Sequence, residues 1–196
     1  MIKKKYNKKN GYGFYAIQNI PKDTIIITDP IAFTKNINKE YKSSFDIMFD
    51  IVQTILFYSN DKLKNKFLNL TPHTIDKYII SGNELLNEIN ISSYKLLLNV
   101  PIDELRLICS KYIRNAFTFT KEIQATILLT GSIFNHSCIP NVSFYPNNKS
   151  MIFITNKDIN IGEELFISYL NTNKDKNNKL RLLHQYGFNC NCKLCG

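Results

Sequence analysis

The chain has 196 residues, enough for one domain with a real core and an insertion. Apolar residues make up 44%, ordinary for a soluble globular protein, and no apolar run reaches the roughly 18 residues a membrane helix needs. The formal charge of +9 favours acidic partners such as nucleic acid or chromatin, although lysine- and asparagine-rich loops such as 171–179 would also produce it without any partner.

The start, Met1-Ile2-Lys3-Lys4-Lys5, is basic but has no apolar segment behind it, so it does not read as a secretory signal. The expectation is an intracellular protein, nuclear or cytoplasmic. Residues 1–35 read as β-structure. Gly11-Tyr12-Gly13 reads as a turn, Phe14 to Ile17 as a short strand, and the β-branched Thr24 to Thr28 as a buried strand ended by Asp29-Pro30. The pattern then changes. Phe45, Met48, Phe49, Val52 and Leu56 recur at helical spacing, followed by Leu63, Phe67 and Leu70. Further helices are expected over Glu84 to Ile89, over Tyr94 to Leu98, and from Pro101 to about Tyr112. Residues 40–113 therefore read as a helical insert between two β-rich halves.

After Asn115 the β pattern returns. Phe117-Thr118-Phe119 is a short strand, and the apolar stretch Ile123 to Leu129 suits strand or helix equally. Val142 to Tyr145 and Met151 to Ile154 flank Pro146-Asn147-Asn148-Lys149, which predicts a hairpin. A strand is expected from Leu165 to Ser168 and a short helix from Leu180 to Tyr186. The predicted class is α+β.

Of the five cysteines, Cys109 falls in an apolar helical pattern and reads as a small buried hydrophobe. Cys190, Cys192 and Cys195 put three thiols within six residues. A structural zinc takes four ligands, and Cys138 is the natural fourth. One zinc would then staple the C-terminal segment onto the centre of the fold. The apolar Phe188 and Leu194 suggest that this tail is packed.

Asn135-His136-Ser137-Cys138-Ile139-Pro140-Asn141 offers donors and acceptors suited to a nucleoside cofactor, or to ordinary core hydrogen bonding. Gly162-Glu163-Glu164-Leu165-Phe166-Ile167-Ser168-Tyr169 follows it. Glu163 and Glu164 are adjacent, so an extended segment points them to opposite faces, which argues against paired acid–base work; they are expected to bond within the turn. His73 and His184 have no partner motif and read as surface residues. A Cys138–His136 nucleophile pair has no support in the spacing.

Taken in order, these two motifs and the Cys-x-Cys-x-x-Cys tail resemble the catalytic half of SET-domain protein lysine methyltransferases. The closest resemblance is to the SET and MYND family, over residues 9–35 and 114–196. That resemblance implies a SET-domain β-clip in residues 1–170, a knot-like threading of the Asn135 segment through the Gly162–Tyr169 loop, and a post-SET zinc segment in 171–196. It implies S-adenosyl-L-methionine as cofactor, contacted by Asn10, Gly11, Tyr12, Asn115, Asn135, His136, Tyr169 and Phe188. Tyr169 matches the catalytic tyrosine, and Phe117 and Tyr186 match the walls of the substrate-lysine channel. Cys138, Cys190, Cys192 and Cys195 match the zinc ligands. The expected activity is protein-lysine N-methylation of a histone tail or another protein by a monomer. The alternative is a non-catalytic SET-like module that binds chromatin or protein through its basic surface. The family's MYND finger has no room near residues 36–44, and its C-terminal helical repeats have no counterpart before Gly196. Both departures leave the substrate open.

Overall fold

The structure is a computed structural model and describes residues 1–35, 44–75, 94–118, 125–170, 182, 183 and 185–195. The side chains of residues 34, 35 and 44 lie outside this description. The chain divides into two compact units, one of residues 1–30 and 130–196, the other of 31–129.

The first unit is built from short strands. β1 (Ile2–Asn7) and β2 (Gly11–Ala16) form an antiparallel hairpin with Tyr6 opposite Tyr12. Gly11-Tyr12-Gly13 is therefore strand, and the turn falls one step earlier, at residues 8–10. The lysine-rich start supplies the partner strand, which apolar periodicity alone does not show. β10 (Glu164–Ile167) continues the sheet antiparallel to β2, and the two-residue β7 (Asn135–His136) runs parallel to β10. The sheet order is β1-β2-β10-β7.

A second sheet has the order β3-β9-β8, with β3 (Ile25–Pro30), β8 (Val142–Asn147) and β9 (Ser150–Thr155). The predicted β8–β9 hairpin is present, but its strands run closer together. Asn147 pairs with Ser150, leaving Asn148 at φ 51° to make the reversal. β3 is an edge strand, so its β-branched run is largely accessible rather than buried. The buried residue in it is Asp29, whose carboxylate accepts the backbone N–H groups of Thr130 and Gly131 at 2.9 and 2.6 Å. Those amides open a short 3-10 turn, Gly131–Ile133, and the carboxylate satisfies donors that the turn leaves free. Phe134 then drops into the core, between Phe14 and Phe153, at ring-centroid distances of 4.9 Å to each.

The second unit carries the longer helices among the described residues. α1 (Ser44–Gln53) passes into a π-helical turn, Thr54–Tyr58, and α2 (Asp61–Leu68) follows, capped by Asn60, whose Oδ1 accepts from Leu63 N. α3 spans Ile102–Asn115, with Pro101 just before it. Between α2 and α3, residues 95–99 form a 3-10 turn; the helix expected over Glu84 to Ile89 lies outside the described residues. Met48, Phe49, Val52, Ile55, Phe67, Leu97, Leu105 and Ile108 make one core, and Cys109 is buried in it as expected. Burial pushes the Cys109 thiol well above its usual range. A small sheet, β4-β6-β5, borders this core: β4 (Phe33–Lys35), β5 (Ala116–Phe117) and β6 (Ala125–Ile127). The stretch that suited strand or helix equally is thus a strand at 125–127. Among the described residues no helix is long and apolar enough to cross a membrane.

Candidate functional site

The site grows from the β7–β10 pair. Asn135 lies opposite Phe166 and His136 opposite Ile167, and Ser137 N donates to Ile167 O at 3.0 Å. Two residues are too few to hold a strand, and side chains supply the rest. Asn141 is buried, and its Oδ1 accepts from Phe166 N at 2.7 Å. Its amide donates to Glu164 O at 2.9 Å and to Glu163 Oε1 at 3.1 Å. Asn141→Ala should therefore cost roughly 2–4 kcal/mol, because a β10 amide loses its acceptor along with two further bonds. Urea unfolding followed by circular dichroism checks this, and an unchanged midpoint would remove Asn141 from the account.

The two glutamates point apart, but only one bonds locally. Glu163 accepts from Lys157 Nζ at 2.6 Å and from Asn160 N at 3.2 Å. Burial raises its pKa, but the bonds from Lys157, Asn141 and Asn160 outweigh that and leave it below the usual range. Glu164 instead reaches across the sheet. Its Oε2 accepts from Tyr15 Oη at 2.8 Å and Asn10 Nδ2 at 3.2 Å, and its Oε1 accepts from Asn135 Nδ2 at 2.7 Å. The expectation that both carboxylates bond within the turn is corrected for Glu164. Its partners lie 154 residues away at Asn10 and 29 away at Asn135, beyond what local spacing can reveal. Asn135 Nδ2 also donates to Tyr12 O at 3.2 Å. Gly13 sits directly under this junction. A Cβ there would stand 2.6 Å from Glu164 Oε1 and 2.7 Å from Asn135 Nδ2. Gly13 is needed for close approach, and neither it nor Glu164 was identifiable from motif spacing as a site residue.

His136 is buried, and burial depresses its pKa to about 4. Its Nδ1 accepts from Tyr169 N at 3.0 Å, so the neutral ring carries its proton on Nε2 and points it at Cys138 Sγ, 3.3 Å away. Tyr169 is thereby fixed at its backbone, and its hydroxyl donates to Phe134 O at 2.6 Å. Burial, then the neighbouring Tyr186 and Glu164, raise the Tyr169 pKa above 10. Its ring lies 4.8 Å from Tyr186 and 6.2 Å from Phe188, and Phe188 lies 6.1 Å from His136.

The cysteine segment packs beside these rings. Gly187, at φ 77°, donates its N–H to Leu183 O and turns the chain out of its last helical turn. Leu182 and Cys190 are buried, with Tyr169, Tyr186, Phe188 and the other three clustered cysteines against them. Leu194 is 59% exposed, contrary to the expectation that it packs inward, because the turn Cys192 O to Cys195 N aims it at solvent. The ligand atoms of Cys138, Cys190, Cys192 and Cys195 lie within 4.8 Å of one another. Cys138 Sγ is 3.8 Å from Cys190 Sγ and 3.5 Å from Cys195 Sγ. Four sulfurs each about 2.3 Å from a zinc ion stand roughly 3.8 Å apart, so this cluster could hold one zinc. Burial and the adjacent thiols push Cys138 up. Burial also raises Cys192, but backbone N–H groups of Cys138, Leu194 and Cys195 among other bonds carry it down to about 6. A divalent cation held by these four residues would relieve this crowding, because ligation would deprotonate the thiols.

Of the predicted site residues, Asn10, Gly11, Tyr12, Asn135, His136, Tyr169, Tyr186, Phe188 and the four cysteines all lie in the first unit. Asn115 and Phe117 lie in the second. Asn115 is buried at the end of α3 and donates its amide to Thr71 O and Lys111 O, both at 2.7 Å. His73 is exposed, and His184 lies outside the described residues.

A SET domain family model matches residues 11–170. SET domain-containing protein L678 of Acanthamoeba polyphaga mimivirus is 34% identical over 204 residues, covering 99% of this chain and 77% of that protein. Histone-lysine N-methyltransferase SMYD3 of Homo sapiens is 36% identical over 93 residues, covering 44% of this chain and 21% of that protein. Among solved structures, the SET domain of LSMT bound to lysine and AdoHcy matches with a TM-score of 0.68 at 15% identity, over 96% of this chain and 53% of that one. The chain thus spans about half of the LSMT chain and a fifth of the human enzyme, and the likeness to LSMT is one of fold. On the family match, and on a relative whose alignment covers 99% of this chain, the chain belongs to the SET domain family.

Proposed function

We propose that this chain is a protein-lysine N-methyltransferase that uses S-adenosyl-L-methionine, with its substrate lysine on a histone tail or another protein. One observation carries the reading: the parallel β7–β10 pair holds Asn135, His136 and Tyr169 in one hydrogen-bonded unit, against the aromatic rings of Tyr186 and Phe188.

Asn10, Gly11, Tyr12, Asn135, His136 and Phe188 would hold the cofactor, which supplies a methyl group on a sulfonium sulfur. The Asn135 amide nitrogen is occupied by Glu164 and Tyr12, which leaves its Oδ1 to accept from the cofactor's ammonium or adenine edge. The Glu164 carboxylate adds negative charge beside Asn10 and Asn135, which favours a ligand bearing sulfonium and ammonium groups. Phe188 offers a flat apolar face to a purine. Zinc on the four cysteines would fix the segment that carries Phe188.

Tyr169 and Tyr186 present apolar ring faces to a lysine stem. The Tyr169 hydroxyl proton is committed to Phe134 O, so its lone pairs face outward as acceptors for an amine N–H. A tyrosine held above its ordinary pKa positions the amine and does not take its proton. The amine must arrive neutral, and burial among aromatic rings disfavours the ammonium form. Phe117 and Asn115, in the second unit, are not needed for this reading.

Calorimetric titration with S-adenosyl-L-methionine tests the cofactor, and methyl transfer to histones and cell-extract proteins tests the activity. Tyr169→Phe should keep cofactor affinity within a few-fold and lower kcat by roughly 10²- to 10³-fold, the usual scale for one lost orienting hydroxyl. The rate should rise with pH as more substrate amine is neutral. Tyr169→Phe should keep that rising limb, because Tyr169 stays protonated over the same range. Loss of the limb would make Tyr169 a titrating base and overturn its assigned role. A folded, zinc-loaded chain that binds no cofactor would instead support the non-catalytic interaction module.

A further inference from the structure

Beyond the positions proposed to hold the cofactor, the β1–β2 hairpin presents an exposed basic and aromatic face. Residues 1–22 contain Lys3, Lys4, Lys5, Lys8, Lys9 and Lys22 and no aspartate or glutamate. Lys3, Lys4, Lys5, Lys8 and Lys9 are all exposed, and β1 is the edge strand of its sheet. Lysines alone would suit an edge strand guarded against pairing with other chains. The aromatic residues beside them do not fit that explanation. Tyr6 is 64% exposed and Tyr12 57%, two large rings left open to solvent side by side. They lie directly opposite each other across the hairpin, at 5.3 Å and edge to face. Lys4 Nζ stands 4.4 Å from the centre of the Tyr12 ring. Alternation along the strands puts Lys4, Tyr6 and Tyr12 on one face, and Lys8 and Lys9 sit in the turn beside them. Glu164, a carboxylate that the hairpin contacts, is already occupied by Asn10, Tyr15 and Asn135, and Tyr15 lies on the opposite face.

We propose that this hairpin face binds single-stranded nucleic acid, with unpaired bases stacking on Tyr6 and Tyr12 and phosphates held by Lys4, Lys8 and Lys9. The charge alone would attract any polyanion. The exposed ring pair selects among them: unpaired bases offer π-faces to stack on, whereas a duplex hides its bases and an acidic peptide has none. Cation–π contact with Lys4 holds the Tyr12 ring in a defined pose before binding. The proposal shares Tyr12 with the proposed cofactor site, so its test varies Tyr6, Lys4 and Lys8, none of which is assigned to methyl transfer.

Fluorescence anisotropy of the full, zinc-loaded chain tests it, using labelled oligo-U and oligo-T of roughly 15 nucleotides, a duplex of equal length, and polyglutamate as competitor. Single strands should bind at low salt about ten-fold tighter than the duplex, and the two homopolymers separate RNA from DNA. With three lysines engaged, the log–log salt slope should be about −2. Tyr6→Ala should weaken single-strand binding about ten-fold while leaving duplex binding unchanged, and Tyr6→Phe should restore it. Lys4→Glu with Lys8→Glu should weaken both by more than ten-fold and flatten the salt slope. Zinc content and melting temperature confirm that each variant is folded. No binding at low salt overturns the proposal. So does Tyr6→Ala binding like wild type, or polyglutamate displacing the strands at equal charge concentration, because either result leaves only a basic surface.

Discussion

Cys138→Ser should strip the protein of zinc and lower its melting temperature by about 10 °C or more. Cys138 is the member of the cysteine cluster that does not belong to the C-terminal segment, and its sulfur stands 3.8 and 3.5 Å from those of Cys190 and Cys195. Without it, three thiols from one short stretch remain, and the thiolate that would tie them through a metal to the Asn135–Asn141 segment is lost. Structural zinc contributes on the order of 10 kcal/mol or more of apparent binding free energy, which in small metal sites is folding free energy. The cost should spread beyond the metal, because Cys138 also receives the Nε2 proton of His136, and His136 holds the Tyr169 amide. Metal analysis should read one zinc per chain for the wild type and close to none for the variant. Cys109→Ser is the control. That thiol is buried in the other unit, outside the cluster, so its loss should leave the zinc in place. Full zinc in the folded Cys138→Ser protein would refute the ligand set.

Gly13→Ala should lower affinity for S-adenosyl-L-methionine by roughly 100-fold or more while the chain still folds. The added methyl would meet Glu164 Oε1 at 2.6 Å and Asn135 Nδ2 at 2.7 Å, closer than side chains are found. Neither group can yield cheaply. Glu164 is held by Tyr15, Asn10 and Asn135 together, and Asn135 sits in β7 with its amide fixed to Tyr12 O as well. Displacing either one turns the Asn135 Oδ1 away from the ligand and leaves a carboxylate short of donors. Gly11→Ala separates this effect from backbone strain. Gly11 has φ 75° with open space around its Cβ position, so alanine there costs about 1–2 kcal/mol of conformation and no contact. Calorimetry on both variants, beside thermal melts, makes the comparison. A folded Gly13→Ala protein with wild-type affinity would mean that the Glu164–Asn135 junction does not shape the cofactor site.

Much of the molecule was legible locally. Helical recurrence of apolar residues located α1 and α2, and Pro101 marked the start of α3. The β8–β9 hairpin followed from two β-branched and aromatic runs around a polar turn. Cys-x-Cys-x-x-Cys and Cys138 pointed to a single cluster, and their sulfurs do converge. Such signals survive in sequence because each depends on residues a few positions apart, where strand or helix geometry sets which side chains share a face.

Tertiary structure decided what distance in sequence hides. The lysine-rich start carries no apolar alternation, yet it is a strand because β2 offers it a hydrogen-bonding edge. β7 is two residues long and exists because Asn141 and Glu164 tie its neighbourhood to β10. Asp29 looked like the end of a strand and proved to be the buried acceptor for two amides a hundred residues on. Glu164 looked like half of a local pair and proved to join Asn10, Tyr15 and Asn135, with Gly13 as the space it needs. Composition and spacing determined which groups this protein owns and which short elements they form. Which of those groups meet was decided only by the pairing of distant strands, because a buried polar atom takes whatever partner the folded chain brings to it.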